Sequence, residues 1–276
     1  MTLKGRRTVQ LWLRVLAAAA LTLLFLFPIY WLAMISFKTP EEIYSFPPKW
    51  YPGQIQFDNY AVLFKDGDAT TVMNSLIVAG VSTVIAMILG TICAYSLARF
   101  RTGGEHLANW IISQRMIPPI AIVFPIFLLY VWLGLVDTFA GVILLYTAFN
   151  LPYVIWMMRG YILDIPKALE ESALVDGCTR WQVIWKVVFP MSRAGLFATA
   201  IFTFVFAWND FLFALVLTRT EVTTYTVQVT HYFGGQSNFW AKISAMSVLG
   251  TIPIFVVVAF MQRYLVRGIS LGAVKG

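Results

Sequence analysis

Charge is scarce in this sequence. Asp, Glu, Lys and Arg make up 12% of its 276 residues, about half the fraction usual in soluble domains. With 59% of the chain hydrophobic, too few polar groups remain to clothe a soluble globule of this size. Cysteine and histidine are nearly absent, at two residues each. Cys93 and Cys178 make no disulfide framework and are expected to stay reduced, one in an apolar span and one in a polar loop. His106 and His231 have no carboxylate or cysteine at metal-ligand spacing, and no Ser, His and acid form a catalytic set. A Gly-x4-Gly-Lys-Ser/Thr phosphate loop is missing as well. The chain is therefore expected to be no enzyme and to hold no metal or cofactor of its own.

What is present is apolar and aromatic. Twenty-two Phe, twelve Tyr and ten Trp fit a lipid-facing protein anchored at both interfaces. Six stretches reach the roughly 20 residues needed to cross about 30 Å of hydrocarbon: about 11–35, 72–98, 107–133, 139–161, 191–217 and 243–265. Pro28, Pro118, Pro119, Pro125, Pro152 and Pro253 interrupt some of them. Proline is tolerated in membrane helices where neighbours re-satisfy the freed carbonyls, so kinks inside a bundle are expected. Lys4, Arg6 and Arg7 precede an apolar run in the manner of a signal peptide. That run continues to Ile35, too far for a cleaved segment, and reads as a retained first span. The expected fold is all-α: six transmembrane helices in one domain, residues 1–276.

Basic residues set the orientation. One side of this topology receives Lys4, Arg6, Arg7, Arg14, Arg99, Arg101, Arg159, Lys167, Arg180, Lys186, Arg193, Arg263, Arg267 and Lys275. The other receives Lys38, Lys49, Lys65, Arg219 and Lys242, outnumbered by acids. By the positive-inside rule both termini are cytoplasmic. The net charge of +7 is thereby spent on topology, and a nucleic-acid partner is not expected. Two outer loops are sizeable, about 36–71 and 218–242. Turn residues order the first of them, with Pro40, Pro47, Pro48, Pro52 and Gly53 among acids.

The stretch between the fourth and fifth spans, about 162–190, is polar. Pro166 suits a helix start, and Glu170 and Glu171 fall where the helix dipole favours negative charge. Gly177 ends that helix, and Thr179 or its successors begin a second. A membrane protein thus presents a helical elbow to the water phase, and elbows of this kind dock partners. Within the spans, away from the ends that carry Arg14, Arg159, Arg193 and Arg263, only Arg115 and Asp210 carry formal charge. Intramembrane ionisable groups usually face a bundle interior or a water cavity. Arg115 lies near enough to an interface to snorkel. Trp208, Asn209 and Asp210 combine a flat apolar face with hydrogen-bonding groups, which suits a neutral, hydroxyl-rich ligand and equally suits interhelical packing. Pro118-Pro119 either opens carbonyls toward a cavity or only bends a helix.

The elbow resembles the signature loop of bacterial ABC-importer permeases: Glu-Ala-Ala, three residues, Gly, nine residues, Ile-x-Leu-Pro. Glu171, Ala173, Gly177 and Pro190 match at the right spacing. Ser172 replaces the middle Ala, Val187 the Ile and Phe189 the Leu. Further segments are similar to the carbohydrate-uptake branch, in particular to the maltose system's smaller permease subunit. They are Ser36-Phe37-Lys38, Asn59-Tyr60, Ala94 to Phe100, Met116 to Pro119, Phe206 to Asp210 and the tail Arg267 to Gly276. The resemblance covers nearly the whole chain. It implies a bacterial inner-membrane complex of two different permease subunits, two copies of an ATP-binding subunit that hold ATP and Mg, and an external sugar-binding protein. It also implies ATPase docking through Glu170, Glu171, Ser172, Ala173, Asp176, Gly177 and Pro190. The tail with Gly272, Lys275 and Gly276 would reach between the ATPase subunits, and the loop with Gly234-Gly235 toward the binding protein.

Simple physics points the same way. Six spans with one buried acid make only half of a pathway, and uphill transport needs a free-energy source that this chain lacks. The alternative is an ion-coupled secondary transporter, which requires titratable groups at the midplane. Asp210 alone serves that poorly.

Overall fold

The computed structural model describes residues 3–233 and 239–272. Gly234-Gly235 and the tail residues Lys275 and Gly276 lie outside the described residues. Every regular element among those described is helical: α1 (Leu3–Ser36), α2 (Pro40–Ile43), α3 (Asp58–Lys65), α4 (Thr70–Phe100), α5 (Gly104–Ser113), α6 (Pro119–Leu133) and α7 (Phe139–Leu163). There follow α8 (Lys167–Val175), α9 (Arg180–Val183), a π turn at Ile184–Val188, α10 (Phe189–Met191), α11 (Arg193–Trp208), α12 (Leu212–Leu217), α13 (Tyr225–His231) and α14 (Phe239–Gly272).

Among the described residues, four helices are long and apolar enough to cross a membrane: Gln10–Ser36, Thr70–Phe100, Phe139–Leu163 and Phe239–Phe260. Two bent pairs pass the same test jointly, Gly104–Met116 with Pro119–Leu133 (90°) and Arg180–Met191 with Arg193–Trp208 (78°). Counting each pair as one span gives up to six. The stretches expected as single spans over 107–133 and 191–217 are thus built in pieces. Proline chemistry accounts for both bends. Pro118 forces Ile117 out of the helical region and Pro119 does the same to Pro118, leaving both extended at ψ 123° and 124°. Pro190 brings no N–H and its ring crowds the carbonyl four residues back. The ladder widens there to a π turn, in which Phe189 N–H donates to Ile184 O, and the helix breaks at Ser192.

The chain divides into two compact units. One holds the residues up to Ala69 with Val229–Thr251. Here Asn59 Nδ2 donates to Ser36 O (2.9 Å), the Ser36 and Tyr60 hydroxyls meet at 2.8 Å, and Phe37 packs on Tyr60. The two short segments Ser36-Phe37-Lys38 and Asn59-Tyr60 therefore form one clasp at the end of α1. The other unit holds Thr70–Gln228 and Ile252 onward, with α4, α7 and α11 packed against each other. Small residues permit that approach. A Cβ on Gly90 would stand 2.5 Å from Val154 Cγ1, and one on Gly195 would stand 2.3 Å from the Tyr161 ring.

Candidate functional site

The elbow is two short helices at right offsets, as its sequence requires. Pro166 stands at the N-cap of α8 with extended ψ of 126°. Gly177 takes φ +87°, a left-handed conformation that costs other residues about 1–2 kcal/mol. Its N–H and that of Cys178 close the helix on Leu174 O and Ala173 O. Thr179 then caps α9 in a full capping box with Gln182.

The two neighbouring glutamates part ways. Glu170 is buried: its Oε1 accepts from Arg99 Nε at 2.6 Å and its Oε2 from Tyr95 Oη at 3.0 Å. Arg99 also donates to Ile162 O and Ile165 O, at 2.8 and 2.9 Å. One guanidinium thereby joins the end of α4, the last turn of α7 and α8. Glu171, Ser172, Asp176 and Gly177 lie on the exposed side, while Ala173 is half-buried and packs inward with Leu174 and Cys178. Pro190 is exposed just past the π turn.

A cavity of about 620 Å³ opens beside the broken fifth stretch. Its wall includes Arg115, Pro119, Tyr146, Asn150, Asn209 and Asp210, with Phe149, Phe206 and Phe213 as aromatic surface. Arg115 lies over the Phe206 ring (5.2 Å) and donates to Phe149 O (3.2 Å). Asp210 Oδ1 accepts from Tyr146 Oη (3.0 Å) and from the N–H groups of Phe213 and Ala214 (3.2 and 3.4 Å). Asp210, one residue before the N-cap Phe211, therefore caps the start of α12 with its side chain. Trp208 turns away into the core, 1% exposed, stacked on Tyr225 and Phe204. Pro118 sits at the corner before Pro119.

Residues 86–271 match the family described as "Binding-protein-dependent transport system inner membrane component". The chain belongs to that family. It is 38% identical over 257 residues to the trehalose transport system permease protein SugB of Mycobacterium tuberculosis, covering 91% of this chain and 93% of that one. It is 33% identical over 254 residues to the diacetylchitobiose uptake system permease protein DasC of Streptomyces coelicolor, covering 91% and 92%. A crystal structure of a bacterial ABC transporter involved in import of the acidic polysaccharide alginate has the same fold, with TM-score 0.78 over 96% of this chain and 99% of that one at 23% identity. The protein is thus a multi-pass inner-membrane permease subunit of an ABC importer, not itself catalytic, that works with a binding protein and an ATPase partner.

Two devices of the permease escape a reading of its sequence. The Arg99–Glu170 pair spans 71 positions, and Arg99 looks like one more topology-setting cation at a helix end. Asp137 looks like an ordinary loop acid. Its carboxylate in fact accepts four backbone N–H bonds, from Arg219, Thr220, Glu221 and Val222, at 2.9–3.2 Å. Its own N–H donates to Leu217 O at 2.7 Å. Partial burial works against ionisation, but those four donors prevail and bring its pKa down to about 2. Asp137 also holds a left-handed φ of +58°, which Asp tolerates better than most residues.

Proposed function

We propose that this permease forms half of the translocation pathway of an ATP-driven importer for a sugar or polyol. Its complement is a second, homologous permease subunit, a pair of ATPase subunits that bind ATP and Mg, and an external sugar-binding protein. Both termini and the elbow face the cytoplasm, and residues 1–276 act as one membrane domain. Glu171, Ser172, Asp176 and Gly177 meet the ATPase subunit, with Ala173 keeping the helix close to its bed and Pro190 ending the loop. Glu170 serves from beneath. The tail from Gly272, with Lys275 and Gly276, adds a second contact with the ATPase subunits. The observation that carries this reading is an exposed, glycine-reversed elbow fastened from below by buried hydrogen bonds, with its outer face left open.

Asn209, Asp210 and Pro119 border the cavity, to which Arg115 adds a guanidinium and Phe206 a flat ring face. Amide, guanidinium and aromatic surface together suit a hydroxyl-rich ring. The relatives named for trehalose and diacetylchitobiose uptake support the class of cargo. Neither they nor the family support the ion-coupled alternative, and Asp210 is already engaged as a helix cap. Uptake of radiolabelled sugar is the deciding experiment, with ATP depleted while the ion gradients are clamped. Transport should stop; persistence at the control rate would overturn the reading.

A further inference from the structure

We propose that Arg99 is the tie that makes the α7 wall of the cavity travel with the elbow. This rests on reading α8 as the helix that meets the ATPase subunit. The Arg99 and Glu170 side chains are 6% and 8% exposed, and Nε and Nη2 both reach Glu170 Oε1 at 2.6 Å. The same Nη2 holds the Ile162 and Ile165 carbonyls, and Tyr95 holds the other Glu170 oxygen. A guanidinium is a rigid, planar fork, so three chain segments share one fixed geometry rather than three flexible contacts. An ammonium in its place has no such fork.

The other half of the elbow is joined differently. It reaches α11 through the π turn and a 78° break, a place where backbone angles have room to change. The cavity lies between those two outputs. Tyr146, Phe149 and Asn150 come from α7, and Val205, Phe206, Ala207 and Asn209 from α11 and its end. Ile162 to Asn150 is twelve residues of one helix, about 18 Å at 1.5 Å per residue. A displacement of α8 is passed to one wall along the continuous helix α7, with Pro152 near its cavity end, and to the other through a joint. The walls shift relative to one another, which is what opening a pathway requires.

The test uses the full complex with its partner subunits, Cys93 and Cys178 replaced by Ser, and spin labels at exposed positions. Val175 on α8 is 87% exposed, Leu144 on α7 56% and Phe202 on α11 46%. Distances for the pairs 175–144 and 144–202 are measured without nucleotide and with ADP–vanadate. With Arg99 intact, 175–144 should stay narrow and constant while 144–202 changes by the about 1–2 Å or more of a helix shift. In Arg99→Lys and Glu170→Gln, 175–144 should broaden and become nucleotide-dependent, and the 144–202 response should shrink although ATP is still hydrolysed. A wild-type response in both variants overturns the tie. Loss of assembly in both also overturns it, because the pair is then only a folding element. Failure of the docking reading looks different: Gly177→Asp would retain the ATPase subunit and the 144–202 response in full.

Discussion

At the scale of single residues, neighbours in sequence do opposite jobs. Glu170 and Glu171 share chemistry and a helix turn, yet the α-helical 100° step buries one against Arg99 and leaves the other in solvent. Gly177 is needed for conformation and for its bare surface. A Cβ there meets nothing within 4 Å, so the cost of Ala is the left-handed backbone alone, about 1–2 kcal/mol. Gly177→Asn, which tolerates that backbone, should insert and fold normally. If the bare surface is what the ATPase subunit meets, Gly177→Asn and Gly177→Asp should both lose that subunit or its sugar-stimulated hydrolysis. Subunit retention on purification reads this directly, and wild-type retention and stimulation in Gly177→Asp would refute the contact. Asp137 is the second case. Its pKa is depressed below the ordinary carboxylate value of 3.8. Its stabilisation is therefore complete above about pH 4 and is lost as pH falls through about 2. Thermal unfolding of wild type and Asp137→Asn should differ at pH 6 and converge toward pH 2. A difference independent of pH would show that charge is not what holds the 219–222 backbone.

At the scale of elements, packing distances decide what each helix tolerates. Gly90 on α4 faces Val154 on α7, while Gly80 on the same helix has nothing within 4 Å of a built Cβ. Gly90→Leu should cost about 1–3 kcal/mol of overpacking, and Gly80→Ala little. Detergent-solubilised variants compared by thermal unfolding test this, and equal midpoints would mean that α4 and α7 do not hold this close approach. The bends were half legible. Pro118-Pro119 announces a break, and 90° is its outcome. Pro190 announces one too, but the π turn before it depends on which carbonyls find new partners.

At the scale of the molecule, this chain is a permease subunit that is not itself catalytic, and ATP hydrolysis belongs to partner subunits. The purified single chain should show no ATP hydrolysis above the detergent blank in a phosphate-release assay. Robust turnover from the highly purified subunit would contradict the division of labour, since the sequence holds no phosphate-cradling loop. The acid lining the cavity is already used as a cap, and the rest of the lining offers donors and ring faces.

Composition and periodicity determined that the protein is helical and membrane-embedded. They also determined that a short helix through Glu171 and Ala173 stops at Gly177, because a low charge content, apolar runs of span length and a helix-stopping glycine are all local facts. The role of Glu170, the Tyr146 bond to Asp210, the burial of Trp208 and the clamp of Asp137 were decided only in three dimensions. Each depends on partners 64 to 85 positions away or on a side chain's direction from the helix axis. Hydrogen-bond partners that distant leave no pattern in a single chain. The physical reason is that a buried polar group must find a partner wherever the packed helices bring one, and that meeting place exists only after folding.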